Sequence, residues 1–218
     1  MVEENSNKTA FIVCCKHLPE RTLVFDCVSS IKKFHPDCDI VVVDSDSEDK
    51  SYLDELRKDG VIIEDVKNKN YEYGATVYAF NKYKDSYKNY VFIQDSVFLN
   101  KPYDFKPCDE RNIVVHNIYP AGWERDLEAR EWAVQYAWDQ SLGHLPEPRE
   151  IVNQNMFAIS AKLMEEVLNS SSFKNWKAPN CKVGSRAWEK IWQVVFEDNK
   201  VNKVHQRDLI TKIDVVRD

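Results

Sequence analysis

The sequence predicts an α/β fold in which a central, mostly parallel β-sheet is flanked by helices. Short runs such as 10–15 (AFIVCC) and 39–43 (DIVVV) are almost entirely apolar, which is typical of strands buried on both faces of a parallel sheet. These runs alternate with segments whose apolar residues recur at helical spacing. This strand–helix rhythm is characteristic of parallel sheets covered by helices.

The elements follow one another closely along the chain. We expect strands at 10–15, 39–43, 61–66, 90–99, 111–117 and 156–160, and helices at 20–34, 50–58, 75–83, 123–142, 162–168 and 185–196. The sequence contains no repeat, low-complexity tract or linker. It therefore predicts one domain over 1–218, with one half at 10–105 and a second at 106–218.

Composition limits the class of protein. The 218 residues are 43% hydrophobic, enough for a sizeable core, and carry a net charge of −6. A net-negative surface argues against nucleic acid or an anionic bilayer as the partner. No apolar run approaches the ~18 residues of a membrane span, and residues 1–9 lack the apolar core of a secretory signal. We expect a cytoplasmic protein without a membrane span.

The six cysteines contain no C-x-x-C pair, and most lie among apolar residues. Cysteine in such surroundings behaves as a small hydrophobic residue. The sequence therefore predicts reduced, structural cysteines and no zinc site built from them.

Several familiar ligand-binding motifs are absent. None of the five glycines forms a G-x-G-x-x-G or G-x-x-x-x-G-K-[ST] loop, and neither G-x-S-x-G nor H-E-x-x-H occurs. Open α/β sheets bind ligands at the carboxyl ends of their strands. Polar residues where the predicted strands end are therefore the candidates for ligand binding.

An acidic segment follows the second strand. Residues 44–49 read DSDSED, which places Asp44 and Asp46 directly after the buried run. Their carboxylates can accept hydrogen bonds from a ribose or a base, or can bind a divalent cation. The alternative interpretation is a solvated loop that caps the following helix.

Asp95 follows the fourth apolar strand. A carboxylate buried without a partner costs several kcal/mol, so this group needs a metal, a cation or backbone donors, or it lies in a cleft. An Asp that caps the turn is the alternative. We favour a functional group, because Asp44 and Asp46 should approach the same edge of the sheet.

Taken in order, the segments VVVDSDSEDKS, YEYGATVYAFNKY and YVFIQDSVFL resemble the nucleotide-binding half of GT-A glycosyltransferases. The resemblance covers residues 10–100. It implies that Asp44 and Asp46 contact the nucleoside and that Tyr73 and Gly74 line the nucleotide pocket. It also implies that Asp95 belongs to a D-x-D motif that holds Mn²⁺ or Mg²⁺ against the donor diphosphate.

The resemblance has departures. Val97 stands where the second carboxylate of the D-x-D motif is expected. Either one carboxylate suffices, with Gln94, Ser96 or a distant ligand helping, or the metal is dispensable. Some members of the family add a late histidine as a metal ligand, and His205 is the candidate here; the alternative is an ordinary surface histidine. A nucleotidyltransferase is a rival class, but its Gly-rich loop is missing from the basic segment 16–21.

The resemblance implies that the second half binds the acceptor and supplies a general base. Glu189 is our candidate base, beside Trp188, whose ring could stack on a sugar. The alternative places Trp188 in the core and Glu189 in solvent. Asp126, Glu124 and Asp139 compete for the same function.

These observations predict a glycosyltransferase that moves a sugar from a nucleotide-diphosphate donor, by default a UDP-sugar, to a glycan or other hydroxyl acceptor. We expect metal assistance and an inverting course, with a retaining course left open. A non-catalytic module that binds nucleotide-sugars or glycans is the alternative from a different class.

Overall fold

A computed structural model describes residues 8–16, 23–116, 118–120, 122–152 and 156–213. The strands are β1 Thr9–Cys15, β2 Asp39–Ser45, β3 Ile62–Val66, β4 Asn89–Gln94, β5 Val97–Leu99, β6 Asn112–Val115, β7 Ile118–Pro120, β8 Glu150–Val152, β9 Phe157–Ser160, β10 Asn202–His205 and β11 Ile210–Lys212. The α-helices are α1 Leu23–Phe34, α2 Ser51–Lys58, α3 Tyr71–Tyr83, α4 Leu127–Trp132, α5 Ala161–Asn169, α6 Ser171–Lys174 and α7 Lys182–Asp198.

A seven-stranded sheet forms the centre, in the order β10-β6-β9-β4-β1-β2-β3. All neighbouring pairs are parallel except those of β9, which runs antiparallel to both β4 and β6. Two small ribbons accompany it, β5 with β11 and β7 with β8. The predicted α/β class with a mostly parallel sheet is confirmed.

Helices cover both faces of the sheet, which explains why the central strands are apolar throughout. Alternate residues of β1 face opposite sides: Ile12 packs in the cluster with α3 and α7, whereas Phe11 packs in the cluster with α1 and α2. Helix α7 contributes three large aromatic side chains to the core, since Trp188, Trp192 and Phe196 are fully buried. Burying an aromatic side chain removes 150–250 Å² from water, so this stripe fixes α7 firmly on the sheet.

The predicted long helix over 123–142 is wrong. A short 3₁₀ turn ends at Asp126, whose carboxylate caps α4 by accepting from the Ala129 N–H at 3.1 Å. After α4 the backbone widens into a π-helical turn, Ala133–Ala137, and Trp138 then pairs with Trp176 as an isolated β-bridge. The apolar spacing is real, but a mid-sequence cap and a long-range bridge interrupt the helix.

The predicted strand 90–99 is divided at Asp95 and Ser96. β4 stays in the central sheet, while β5 leaves it to pair with β11. The predicted helix start at Glu20 and strand end at Asn117 lie outside the described residues. All six cysteines are free, as predicted. In the described part of the chain, no helix is long and apolar enough to cross a membrane.

Candidate active site at the carboxyl edge of the sheet

Three parallel strands end side by side at one edge of the sheet. In register, Cys15 of β1 lies opposite Asp44 of β2, and Cys14 lies opposite Gln94 of β4. Asp95 comes directly after this row and donates its N–H to the Cys14 carbonyl at 3.1 Å. The expected proximity of the acidic segments is therefore present.

Asp44 is fully buried and fixed by its own loop. Its carboxylate accepts from the Ser47 N–H at 3.1 Å, from the Ser47 hydroxyl, and from the Tyr52 hydroxyl at 2.6 Å. Burial raises the pKa of Tyr52, so this phenol stays protonated and donates. The carboxylate thus ties the end of β2 to the start of α2.

Asp46 has the opposite surroundings. It is exposed and its backbone lies in the left-handed region at φ 62°, a conformation that Asp and Asn tolerate better than most residues. This conformation turns the chain sharply after β2. Of the two predicted nucleoside contacts, Asp46 is the one whose carboxylate is open to solvent.

Tyr73 and Gly74 lie in the first turn of α3, close to the same edge. The Tyr73 ring packs 4.1 Å from the Trp188 ring, between centroids. A Cβ on Gly74 would lie 2.0 Å from Asn68 Oδ1, so the glycine is needed for this close approach. Asn68 in turn donates to Ser45 Oγ at 3.0 Å, which connects α3 to the end of β2.

Asp95 is 5% exposed and lies in the turn between β4 and β5. Its Oδ2 accepts from the Lys16 N–H at 3.2 Å, so the ends of β1 and β4 are joined through this carboxylate. A buried carboxylate that receives backbone donors is stabilised as the anion. Asp95 therefore brings negative charge to the edge.

Beside Asp95 lies a chain of hydrogen bonds, here called the edge network, which consists of Lys212, Gln94, Glu72 and Ser185. The Lys212 ammonium donates to Gln94 Oε1 at 3.1 Å, and Gln94 Nε2 donates to Glu72 Oε1 at 3.1 Å. The Ser185 hydroxyl completes the chain by donating to Glu72 Oε2 at 2.9 Å. β11, β4, α3 and α7 are thus connected by polar side chains at this edge.

Glu189 lies one helical turn after Ser185 on α7, so both side chains project from the same face. It is half-buried and forms no hydrogen bond with the other residues described. Burial raises the pKa of Glu189 to about 7. The positive charges of Lys190 and Lys212 oppose this rise, and the negative charges of Glu72 and Asp126 add to it. A carboxyl group of this pKa can accept and release a proton near neutral pH.

Asp126 has a different environment. Its carboxylate accepts two hydrogen bonds from the Arg186 guanidinium, at 3.0 and 3.2 Å, and Lys190 Nζ lies 3.7 Å away. Burial acts to raise the pKa of Asp126, but Arg186, the Ala129 N–H and Lys190 outweigh it and hold the pKa below its ordinary value. A tightly paired anion of this kind is a poor proton acceptor.

The other competing carboxylates lie on the surface. Glu124 is exposed beside Arg125, at 4.0 Å, and Asp139 caps a 3₁₀ turn by accepting from the Ser141 N–H at 2.9 Å. Trp188 is completely buried and its indole N–H donates to the Lys177 carbonyl at 2.9 Å. Its ring therefore belongs to the core and cannot stack on a sugar.

His205 is exposed at the end of β10, and its Nε2 lies 2.7 Å from the His116 carbonyl oxygen. Because a carbonyl oxygen only accepts, Nε2 is the donor in this hydrogen bond. One histidine nitrogen and one carboxylate, Asp95, are thus the predicted metal donors. Val97, two residues after Asp95, pairs in β5 with Lys212.

These donors do not fit a metal site. Within the described ranges, no three His, Cys, Asp or Glu side chains come together as ligands for an ion. Mn²⁺ and Mg²⁺ prefer several oxygen ligands in a near-octahedral set.

Sequence reasoning missed most of the edge network. Gln94 was considered only as a helper at a metal site, whereas it hydrogen-bonds to Lys212 and Glu72. Glu72 was not considered, although it directly precedes the predicted pocket residues. Ser185 could have been found from its four-residue spacing to Glu189 on a helix face. Lys212 gave no signal, because only the pairing of β11 with β5 brings it to the site.

The fold belongs to a known class. It is GT-A-like, the fold class of many nucleotide-sugar-dependent glycosyltransferases, as the sequence predicted. No protein-family model matches the chain, and no curated protein matches its sequence.

Solved structures with a similar fold include a crystal structure of GalNAc-T7 with UDP, GalNAc and Mn²⁺. The TM-score is 0.56 at 15% identity, over 88% of this chain and 41% of that one. This chain thus corresponds to less than half of that protein. A structure of S. aureus TarS, residues 1–349, in complex with UDP also matches, at a TM-score of 0.42 and 12% identity, over 52% of this chain and 36% of that one. The similarity to TarS is too low to support further argument.

Proposed function

We propose that this protein is a glycosyltransferase that moves a sugar from a nucleoside-diphosphate donor, by default a UDP-sugar, to the hydroxyl group of a glycan or other acceptor. The observation that carries the proposal is Glu189: a half-buried carboxyl with a pKa of about 7 at the carboxyl edge of a GT-A-like sheet. The structure of GalNAc-T7, which has a similar fold, contains UDP, and this supports the choice of donor.

The donor is expected on residues 10–105 and the acceptor on 106–218. Asp46 is the candidate for nucleoside binding, since its carboxylate faces solvent at the end of β2. Tyr73 and Gly74 border the same edge, and Asp44 holds the loop in place. Both halves contribute to the edge network, so donor and acceptor would meet there.

In the proposed reaction, ionised Glu189 accepts the proton of the acceptor hydroxyl. The acceptor oxygen then forms a bond to the anomeric carbon, and the bond from that carbon to the diphosphate oxygen breaks with its electron pair leaving on the diphosphate. This single displacement inverts the anomeric configuration. Asp126 contributes indirectly by holding Arg186 and Lys190 beside α4.

The expected Mn²⁺ or Mg²⁺, with Asp95 and His205 as ligands, stays a prediction. The described donor set does not favour it, so no step of the reaction is assigned to a metal.

Thermal unfolding with a panel of nucleoside diphosphates and nucleotide-sugars, with Mn²⁺ or with EDTA, tests the proposal. A ligand at a hundredfold its Kd stabilises the folded state by about 2.7 kcal/mol. We expect at least one uridine compound to raise the Tm, and slow hydrolysis of the matching sugar donor. If no compound in the panel binds, the proposed function is wrong.

A non-catalytic module that binds nucleotide-sugars is the second candidate. The observation that favours it is Val97 in place of a second carboxylate, together with the missing metal cluster in the described ranges. Binding without hydrolysis or transfer, across a broad set of donors and acceptors, would support this candidate over the enzyme.

A further inference from the structure

We propose that the side-chain amide of Gln193 holds the acceptor hydroxyl group beside Glu189, and that the acceptor is a carbohydrate with a second hydroxyl group next to the reacting one. The inference rests on the proposed function and adds to it an acceptor class and a residue that binds the acceptor. It starts from Gln193 of α7, which is completely buried although glutamine is mostly exposed in folded proteins.

The buried amide of Gln193 has no hydrogen bond. Neither its Oε1 nor its Nε2 has a partner among the described residues, and no other side chain in that part of the molecule contributes two such atoms. Folded proteins satisfy the large majority of their buried polar atoms, and an unsatisfied atom lowers stability. A ligand that hydrogen-bonds to the amide accounts for its presence in the core.

The position of Gln193 connects it to the candidate base. Ser185, Glu189 and Gln193 are spaced four residues apart on α7, so they lie in one row along the helix. Long side chains of a helix point back toward its N-terminus, which directs the Gln193 amide over the turn that carries Glu189. Ser185 donates to Glu72 of the edge network, whereas Glu189 forms no hydrogen bond with the other residues described. Two neighbouring polar groups therefore lack partners.

The row is open to solvent on one side of Gln193 only. Glu189 is half-buried, whereas Gln193 has no exposed surface. A hydroxyl group that enters from the edge of the sheet therefore meets Glu189 first, and Gln193 forms the inner end of the position that it occupies.

A hydroxyl group between the two side chains satisfies both. It donates its proton to the ionised Glu189 carboxylate, and its oxygen accepts a hydrogen bond from Gln193 Nε2. The second lone pair of this oxygen forms the bond to the anomeric carbon as the diphosphate leaves. Gln193 Oε1 still needs a donor, and the neighbouring hydroxyl group of a sugar supplies one. This arrangement favours a carbohydrate over an acceptor with a single hydroxyl group.

The experiment compares the wild type with Q193M, which keeps the length of the side chain but removes both hydrogen-bonding atoms. UDP-glucose, UDP-galactose and UDP-N-acetylglucosamine serve as donors, and the methyl glycosides of the same sugars and ethanol serve as acceptors. The wild type should transfer faster to a methyl glycoside than to ethanol. Q193M should lower kcat/KM for the methyl glycoside about 10- to 100-fold, as expected for two lost hydrogen bonds, with the Kd of UDP unchanged.

Thermal unfolding separates an amide that binds a ligand from one that supports the fold. Replacing an amide that has no partner by an apolar side chain removes unsatisfied atoms from the core, so the Tm of Q193M should equal or exceed that of the wild type. Q193L is a second apolar variant with the same expectation. Q140M is the matched control, because Gln140 is exposed and donates to the Val134 carbonyl at 3.4 Å. It should transfer as the wild type does.

A double variant tests whether the two side chains act on the same hydroxyl group. In E189Q the base is already lost, so adding Q193M should lower the remaining rate by less than about threefold. A further fall as large as in the wild type would mean that Gln193 acts independently of Glu189, which contradicts the inference.

Three other results would overturn the inference while leaving the proposed function intact: unchanged transfer in Q193M and Q193L, a Tm below that of the wild type in both, or equal wild-type rates with methyl glycosides and ethanol. A wild type that binds UDP but transfers to none of these acceptors would also overturn it, in favour of the binding module. Failure of the wild type to bind any nucleoside diphosphate, with or without Mn²⁺, would remove the proposed function itself.

Discussion

Asp44 and Glu189 are both placed near the carboxyl edge of the sheet, and their surroundings are opposite. Asp44 is completely buried and accepts three hydrogen bonds from Ser47 and Tyr52. Glu189 is half-buried, has no such donors among the described residues, and has a pKa raised to about 7. A carboxylate that accepts several hydrogen bonds from its own loop stabilises that loop, whereas one without such donors keeps its proton affinity for chemistry.

The largest expected effect is on turnover. E189Q preserves the shape of the side chain but removes its basicity, so transfer should fall about 10²- to 10⁴-fold, the usual contribution of a general base. Donor affinity, measured by calorimetry, should be nearly unchanged, because the base acts in the transition state. E197Q, the same change at the far end of α7, is the control and should transfer normally. Normal turnover in E189Q would show that another residue is the general base.

The pH dependence of transfer should show the same group. With a pKa of about 7, only about 1% of Glu189 is ionised at pH 5, so turnover should fall about 100-fold between pH 8 and pH 5. The residual activity of E189Q should not show this fall in turnover between pH 8 and pH 5. A rate that stays level down to pH 5 would contradict the assignment.

The contribution of Glu189 to the free energy of unfolding should fall as the pH rises, whereas turnover should increase. Unfolded Glu189 has a pKa near 4.5, so between pH 4.5 and 7 the folded protein holds more protons than the unfolded chain. The contribution of this group to stability is therefore present below about pH 4.5 and is lost as the pH rises toward 7. Urea unfolding at pH 5 and pH 8 should show E189Q gaining stability relative to the wild type at the higher pH.

The expected effect at Asp44 is on folding. D44A removes the acceptor for the buried Tyr52 hydroxyl and should lower the free energy of unfolding by about 1–3 kcal/mol, measured by urea denaturation. For a chain of this size, that corresponds to a fall in Tm of about 2–4 °C per kcal/mol. D44A with wild-type stability would mean that the loop is held by other contacts.

The smallest expected effect is at Asp46. D46N keeps a side chain that tolerates φ 62° and removes only the charge, so stability should change by less than about 0.5 kcal/mol. Nucleotide affinity should fall about tenfold if this carboxylate receives a hydrogen bond from the nucleoside. Unchanged affinity would leave the loop with a structural function only.

The strands were predictable because burial on both faces leaves a continuous apolar run that local sequence reports directly. The helix expected over 123–142 failed because Asp126 starts a new helix and Trp138 pairs with Trp176, and neither event is visible in apolar spacing.

The candidate site was predictable in part. Asp95 and Glu189 follow from local patterns, a polar residue at a strand end and a carboxylate on a helix. Lys212 and Gln94 are 118 positions apart along the chain, and Glu72 and Ser185 are 113 apart. Such pairs depend on tertiary structure, which a single sequence does not report.

The reversed direction of β9 has a consequence for how this scaffold can diversify. Because β9 is antiparallel to β4 and β6, it begins at the edge where they end, and Phe157 at its start pairs with Phe92 near the end of β4. Phe157 at the start of β9 thus lies at the edge of the site without belonging to the parallel strands beneath it. Segments between strands tolerate insertions best, so lengthening the chain on the N-terminal side of Met156 offers an engineer a way to retune acceptor selectivity without rebuilding the sheet.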